Sequence, residues 1–371
     1  MQQIVISATS NYSPLNRWIL QNNCKNILLI ADNSWQYQKK LATYMKGIEN
    51  NGTKIVIYSD FESNPIYESV VKGVHLFNQT NCDAIMAVGG GSAIDVAKCI
   101  KLYSNMDHSK NYLFQEIKPN NIPFLAIPTT AGTGSEATRY AVIYYQGEKQ
   151  SITSDSCIPQ TVLLDSNSLY SLPQYQRKVT MMDAFCHAIE SFWSINSTEQ
   201  SRQYSQQAMN EILQNMDGYL NNNPQSNEGM LLAAHKAGKA INITQTTAGH
   251  AMCYKITSLF GIAHGHAAIL CNRVLFPWMC QNTHLCIDSR GEDFLKDILQ
   301  KIAQNMGCNT YKDATDKIQN LFIGLELSIP KCSEEQLKIL VDSVNPIRLK
   351  NFPIKLDKNT IENLYKQIVR I

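Results

Sequence analysis

The chain has 371 residues, enough for two domains that each bury a core of their own. Its 33 lysines and arginines nearly balance its 31 aspartates and glutamates, which excludes nucleic acid or an anionic membrane as a bulk partner and leaves room only for a local basic pocket. No apolar run is long enough to span a bilayer, and eleven cysteines without CxxC pairs or regular spacing argue against a disulfide scaffold.

Such cysteine usage points to a reducing, cytoplasmic setting. The opening MQQIVISATSNYSPLNRW has no basic start, apolar stretch or small-residue cleavage site, so no secretory leader is expected. Strand-like apolar runs then follow: KNILLIAD, KIVIYSD, DAIMAVGGG running into glycines, and NIPFLAIPTT before a second glycine-containing turn. SAIDVAKCIKLYS between the last two reads as a helix. Alternation of this kind predicts a parallel sheet with helices on both faces, whose ligands bind at the carboxyl ends of the strands.

After TVLLDSNSLYSLP, strand-like runs almost vanish. Helical stretches take over: RKVTMMDAFCHAIESFW, SRQYSQQAMNEILQNMDGYL, EGMLLAAHKAGKAINI, EDFLKDILQKIAQNM, YKDATDKIQNLFIGL and TIENLYKQIVRI. An α/β nucleotide-binding domain over residues 1–166 and an all-α metal-binding domain over residues 167–371 are predicted. With no long linker between them, the two halves are expected to pack together around a cleft.

Four residues in the second half read as ligands of one divalent metal: Asp183, His187, His250 and His264. Asp183 and His187 are four apart in a helical stretch, which stacks a carboxylate and an imidazole on one face. By themselves they would read as an ordinary helix pair. Adding the two histidines of TTAGHAMCYKITSLFGIAHGHAAIL gives one carboxylate and three imidazoles, a set suited to Fe2+, Zn2+, Mn2+ or Ni2+ with room for a substrate oxygen. Cys186 and Cys253 flank these ligands and read as core-filling residues. His266, two residues beyond His264, should point elsewhere.

Gly89, Gly90, Gly91 and Ser92 follow a strand and open a helix, so their backbone and the helix N-terminus suit a phosphate. The same sequence could be an ordinary tight turn. It gains weight from PTTAGTGSEAT on the next strand, where Thr129, Thr130, Thr133 and Thr138 supply hydroxyls. Two such segments fit an extended dinucleotide, although the pattern is not GxGxxG. Asp32 ends the first predicted strand. It could accept from adenosine ribose hydroxyls and repel the extra phosphate of NADP, favouring NAD(H) over NADP(H), or it could simply cap a helix.

In order and content, GGGSAIDVAK, IPTTAGTGSEAT, MMDAFCHAIES and AGHAM…IAHGH resemble the iron-dependent alcohol dehydrogenases, a family related in fold to dehydroquinate synthase and glycerol dehydrogenase. The resemblance runs from Asp32 to at least His266. It implies Fe2+ on Asp183, His187, His250 and His264, pyrophosphate on Gly90, Gly91 and Ser92, and adenosine ribose near Asp32. It further implies cofactor contacts at Asn64, Asp95, Thr129, Thr130, Thr133, Thr138 and Lys149, and it is compatible with a homodimer. One position departs from the family pattern. A histidine is common four residues after the third ligand, and here that residue is Tyr254. With an ordinary pKa near 10, a tyrosine is the poorer proton shuttle at neutral pH.

The segment AGHAMCYKITSLFGIAHGHA, with VNPIRLKNFPIKL near the C-terminus, resembles the phosphonoacetaldehyde reductase branch. That implies NADH-linked reduction of phosphonoacetaldehyde to 2-hydroxyethylphosphonate. A phosphonate needs cationic donors. Arg139, expected to face the active-site cleft, and Lys255 are the candidates, with Tyr254 for the proton and Arg177 and Lys178 before the ligand helix as further cations. Each could equally be a solvated surface charge. Rival readings are a dehydrogenase of an uncharged short-chain alcohol or polyol, a dehydroquinate synthase-like lyase, and a non-catalytic nucleotide-fold binding protein.

Overall fold

The computed structural model describes residues 3–50 and 52–371. The chain divides into two compact units, Met1–Leu172 with Asn222–Leu231, and Pro173–Asn221 with Leu232–Ile371. The division falls after the short turn Ser166–Leu169, which stays with the first unit because Ser168 Oγ donates to the Pro128 carbonyl and Gln38 Nε2 to the Ser168 carbonyl.

In the first unit, β1 (Ile4–Ser7), α1 (Ser13–Gln21), β2 (Asn26–Ala31), α2 (Lys39–Asn50), β3 (Lys54–Tyr58), α3 (Tyr67–Gln79), β4 (Ala84–Gly89), α4 (Gly91–Tyr103) and β5 (Phe124–Pro128) succeed one another. The antiparallel hairpin β6 (Tyr140–Tyr145) and β7 (Glu148–Thr153) follows, and then β8 (Thr161–Leu164). The main sheet is parallel with strand order β1-β8-β5-β4-β2-β3. Every residue of β4 and β5 is buried, as a strand covered on both faces requires. Strand alternation sends Leu28 and Ile30 of β2 into one core with Val70, Val74 and Ile94, and Ile27, Leu29 and Ala31 into a second with Leu15, Trp18, Leu41 and Met45.

Register sets up the binding edge. Gly89 pairs with Pro128, and Val88 with Ala31, so β2, β4 and β5 end together. Asp32, the glycine turn and the Thr129–Thr138 segment therefore emerge side by side, and Thr129 N donates to the Gly89 carbonyl at 3.0 Å.

The second unit is helical: α5 (Gln174–Trp193), α6 (Glu199–Leu220), α7 (Pro224–Thr244, entering from the first unit), α8 (Ala248–Phe260), α9 (His264–Gln281), α10 (Glu292–Asn305), α11 (Tyr311–Gly324), α12 (Glu334–Asp342), α13 (Pro346–Leu349) and α14 (Lys358–Ile368). Nearly every side chain of α5 from Val179 onward is buried, so it is a core helix rather than an amphipathic surface one. It packs against α6 and α9, and α9 in turn against α8. Gly261, at φ 65°, ends α8 and turns the chain into α9. Reciprocal capping boxes start α6, α11 and α12. Among the described residues, no helix is long and apolar enough to cross a membrane.

Candidate metal and nucleotide sites

Helix α5 presents Asp183 and His187 one turn apart on its buried face, and α8 presents His250 at its first turn. One ligand atom from each of Asp183, His187 and His250 lies within 4.8 Å of the other two. The His187 and His250 rings are stacked at 4.5 Å between centroids. His264, the first residue of α9, stands at the margin with its side chain 36% exposed. Its Nε2 is 3.9 Å from Asp183 Oδ1, and its ring centroid is 5.2 Å from that of His250.

Two glycines allow this convergence. A Cβ on Gly265 would lie 2.0 Å from the Val179 carbonyl oxygen and 2.8 Å from Asp183 Cβ, so α9 reaches the backbone of α5 only as glycine. A Cβ on Gly249 would lie 2.4 Å from both Asn272 Nδ2 and Glu190 Oε1. Each of the two later histidines therefore sits beside the glycine that brings its helix in.

Behind His250 lies Glu190, fully buried on α5. Its carboxylate accepts from His250 Nδ1 at 2.6 Å, Thr247 N at 2.7 Å, Thr247 Oγ1 at 2.8 Å and Asn272 Nδ2 at 2.9 Å. Since a carboxylate only accepts, the His250 proton is on Nδ1 and the Nε2 lone pair faces the cluster. Nε2 is 3.5 Å from Asp183 Oδ1, and neither atom has a hydrogen-bond partner among the described residues. Two such atoms turned toward each other call for a positive charge between them, either a proton on Nε2 or a metal ion in its place.

Electrostatics agree. Burial alone would raise Glu190, but the His250 charge and the surrounding donors pull it down to about 2. Asp183 is likewise held well below the carboxylate range, against its burial, by the neighbouring imidazoles. Burial would lower His250, yet Glu190 and Asp183 lift it to about 9. A pocket that holds a proton this tightly competes for any cation, and a divalent ion would displace that proton. An N/O donor set of this kind fits Fe2+, Zn2+, Mn2+ or Ni2+.

Around the nucleotide segment, Asp32 caps the turn Asn33–Tyr37 through Ser34 N at 2.8 Å, and its other oxygen accepts from Gly90 N at 3.2 Å. The aspartate thus shapes the glycine turn. A Cβ on Gly90 would make only ordinary contact, 3.4 Å to Thr130 Cγ2, and the residue has a φ of −77°. Neither packing nor conformation demands glycine there, so its bare backbone leaves a space that a phosphate can fill. Gly91 and Ser92 begin α4, with the Thr133 side chain about where a Gly91 Cβ would be crowded. Gly90→Ala should leave folding within about 1 kcal/mol while weakening NADH binding at least about tenfold, the effect of a modest clash. Unchanged NADH affinity in a fluorescence titration would remove Gly90 from the cradle.

The remaining sequence-derived candidates fall into place differently. Thr129 is buried, with its hydroxyl 3.4 Å from that of Ser34. Thr138 is buried and engaged with Lys98, and Asp95 holds Ser135 Oγ at 2.6 Å and Val142 N at 2.9 Å, so both brace the threonine-rich segment from within. Lys149 lies on β7; burial raises the Asp95 carboxyl, and the Lys149 charge offsets a small part of that rise after Lys98 and the hydrogen bonds from Ser135 and Val142. Asn64 is exposed in a left-handed turn at φ 59°. Arg139 pairs with Asp155 at 3.1 Å. Lys255 is half-buried on α8. Arg177 is no surface charge: it is buried, donates to the Tyr219 carbonyl at 2.9 Å and stacks on the Tyr219 ring. Lys178 donates to the Leu325 carbonyl. Both nitrogens of His266 are used, by Tyr175 Oη and the Ser328 carbonyl. The Tyr254 ring stacks on His264 at 5.4 Å, and burial pushes its phenol well above the usual value, so it keeps its proton at neutral pH.

A family profile described as iron-containing alcohol dehydrogenase matches residues 3–166, and its C-terminal counterpart, described as Fe-containing alcohol dehydrogenase family, C-terminal, matches residues 178–369. The chain belongs to the iron-containing alcohol dehydrogenase family. Members of this family are oxidoreductases acting on alcohols, which makes the chain an enzyme of that class. A similar curated relative is the NAD-dependent methanol dehydrogenase of Bacillus methanolicus, 29% identical over 70% of this chain and 69% of that protein. Another is the phosphonoacetaldehyde reductase of Streptomyces viridochromogenes, 26% identical over 83% of this chain and 81% of that protein. Among solved structures, the sulfoacetaldehyde reductase of Bifidobacterium kashiwanohense in complex with NAD+ superposes with a TM-score of 0.88 at 22% identity, covering 99% of this chain and 97% of that one, a likeness of fold.

Within this iron-containing alcohol dehydrogenase fold, the residues that sequence reasoning passed over are Glu190 and Lys98. Lys98 is fully buried and donates to the carbonyls of Ser135, Thr138 and Tyr140 at 2.6 to 2.8 Å, pinning the threonine-rich segment. Both residues look like ordinary helical surface charges when written out. The available signal was that each is flanked by small or apolar residues, Ala188, Ile189 and Phe192 around Glu190 and Val96, Ala97 and Cys99 around Lys98, where an unpaired charge could not stay.

Proposed function

We propose that this enzyme is a metal-dependent, NAD(H)-linked reductase of short aldehydes, and that it reduces phosphonoacetaldehyde to 2-hydroxyethylphosphonate. The observation that carries the dehydrogenase reading is the buried, mutually facing pair of unsatisfied atoms, Asp183 Oδ1 and His250 Nε2. Asp183, His187, His250 and His264 would hold Fe2+, with Zn2+, Mn2+ and Ni2+ as competitors. Gly90, Gly91, Ser92, Thr130 and Thr133 would take the pyrophosphate. When bound, the ion supplies Lewis-acid polarisation of the carbonyl and NADH supplies the hydride. Glu190 fixes the His250 tautomer so that the ligand lone pair faces inward. Tyr254 offers a hydrogen bond from a retained proton, so the proton that balances aldehyde plus NADH plus H+ to alcohol plus NAD+ is drawn from water or a ribose hydroxyl.

The anionic substrate is supported by the Streptomyces viridochromogenes relative over most of both chains. A second reading, an uncharged short alcohol, is favoured by the pairing of Arg139 with Asp155 and by the methanol dehydrogenase relative. NADH oxidation by the iron-reconstituted protein, with phosphonoacetaldehyde against propanal, separates them. Equal rates on both would remove the phosphonate reading and keep the reductase. Chelation and desalting should abolish turnover with either aldehyde. Returning Fe2+ at about 100 times its Kd should restore turnover and add about 2.7 kcal/mol of stability. Turnover that survives complete metal removal would defeat the proposal.

A further inference from the structure

Arg348, on the four-residue helix α13, is a cation close to the ligand cluster. Its guanidinium carbon lies 4.5 Å from the centroid of the Tyr254 ring. That ring is stacked on His264 at 5.4 Å and 27°. The His264 Nε2 in turn is 3.9 Å from Asp183 Oδ1. Those two stacking distances laid end to end cap the separation between the guanidinium and the His264 ring. Both Arg348 and Tyr254 are half-buried, and His264 is the ligand candidate with the greatest exposure, so the row lies at the accessible margin of the cluster.

What distinguishes Arg348 from Arg139, Arg177 and Lys178 is that its guanidinium is held by a neutral ring and its hydroxyl, beside the ligand cluster, and not by an acidic or carbonyl partner. Among the described residues no carboxylate pairs with it. Arg139 is paired with Asp155, Arg177 is spent on the Tyr219 carbonyl and ring, and Lys178 is spent on the Leu325 carbonyl with Glu326 at 3.7 Å. The Tyr254 ring and hydroxyl engage only part of the guanidinium, whose five N–H donors leave an edge available. That edge matches two oxygens of a tetrahedral oxyacid, an arrangement a lysine cannot reproduce. The cluster supplies the other end of the recognition, a cation-binding pocket suited to a carbonyl oxygen. A ligand that touches both ends must be short, with a carbonyl at one end and an oxyanion at the other.

We propose that Arg348 is the specificity-determining residue of this enzyme. It selects aldehydes that carry a phosphonate or sulfonate one carbon from the carbonyl, and Tyr254 is the shelf that orients it. The inference rests on the reductase reading for its carbonyl end only.

The test is calorimetric binding of 2-hydroxyethylphosphonate, 2-hydroxyethylsulfonate and 1-propanol to the iron-loaded protein, in the wild type, Arg348→Gln and Arg348→Lys. The wild type should bind one or both oxyacids and favour them over propanol, and the tighter arm identifies the oxyacid. Arg348→Gln should weaken oxyacid binding about 100-fold, the scale of lost hydrogen bonds to a charged group. Arg348→Lys should recover part of that loss, since charge returns without the fork. Iron content and NADH affinity report folding, and the lysine variant stands alone if the glutamine variant does not fold. The ratio of kcat/KM for phosphonoacetaldehyde to that for propanal should fall in step. Oxyacid binding unchanged in both variants, or no oxyacid binding by the wild type, overturns the proposal. Oxyacid binding that depends on Arg348 without turnover of any aldehyde overturns the reductase reading and leaves this one standing.

Discussion

Glu190→Ala should empty the metal site and destabilise the protein by about 3–5 kcal/mol, the usual effect of breaking a buried charge network on one side. Five donors converge on that carboxylate, from the ring and backbone of His250, the Asn272 amide and both the backbone and hydroxyl of Thr247. In the alanine variant all five stay buried, and each unsatisfied group costs roughly 1–3 kcal/mol, not additively. Glu190→Gln is the sharper probe. Its volume is conserved and its amide oxygen can still accept from Thr247, but its NH2 cannot accept from His250 Nδ1. The ring is then driven to carry its proton on Nε2, the atom that faces Asp183. Metal affinity should fall roughly 10–100-fold in either variant, with a clearly smaller loss of stability in glutamine than in alanine. Titration of Fe2+ or Zn2+ into the apo proteins, beside urea melts, checks both. Wild-type metal affinity in the two variants would show that Glu190 does not orient a ligand.

Gly265→Ala should be nearly as damaging although it adds one methyl group. The added carbon meets the Val179 carbonyl, a backbone atom of a core helix that cannot rotate away. The first turn of α9 has to shift, and His264 moves with it. A loss of roughly 1–3 kcal/mol is expected, together with weaker metal retention. Gly261→Ala provides the contrast, because nothing lies within 4 Å of its Cβ and only the left-handed φ of 65° opposes the change. That variant should lose about 1 kcal/mol and keep its metal. If both alanines melt together and hold equal metal, close approach of α9 to α5 is irrelevant to the site.

The parts of the fold that were legible in the sequence were those with strong, one-sided physics. KNILLIAD, DAIMAVGGG and NIPFLAIPTT are unbroken apolar runs because β2, β4 and β5 are buried on both faces, and glycines mark where two of them end. β1 escaped notice because Ile4–Ser7 is short and largely exposed at the sheet edge. The β6–β7 hairpin was missed although its Gln146-Gly147 turn, with φ of 52° and 79°, lies between two strand-like runs, a recognisable two-residue hairpin signal. At the cluster, helical spacing exposed Asp183 and His187, whereas Glu190 could not be separated from a solvated charge until α8 was seen lying against it. The cations failed for the same reason. Arg177 and Arg348 differ only in what packs on them, and one-dimensional spacing carries no trace of that.

None of the eleven cysteines forms a disulfide, and eight are buried: Cys24, Cys82, Cys99, Cys157, Cys186, Cys253, Cys271 and Cys332. Burial pushes the thiols of Cys99, Cys186 and Cys271 far from ionisation. Alkylating reagents attack the thiolate, so these positions are silent until the backbone around them opens. Cys253, with its sulfur 3.6 Å from His264 Nδ1, and Cys186, one residue before His187, sit where such opening would matter most. Peptide-resolved labelling kinetics would therefore read breathing of the ligand helices separately from that of the sheet, with no foreign label introduced.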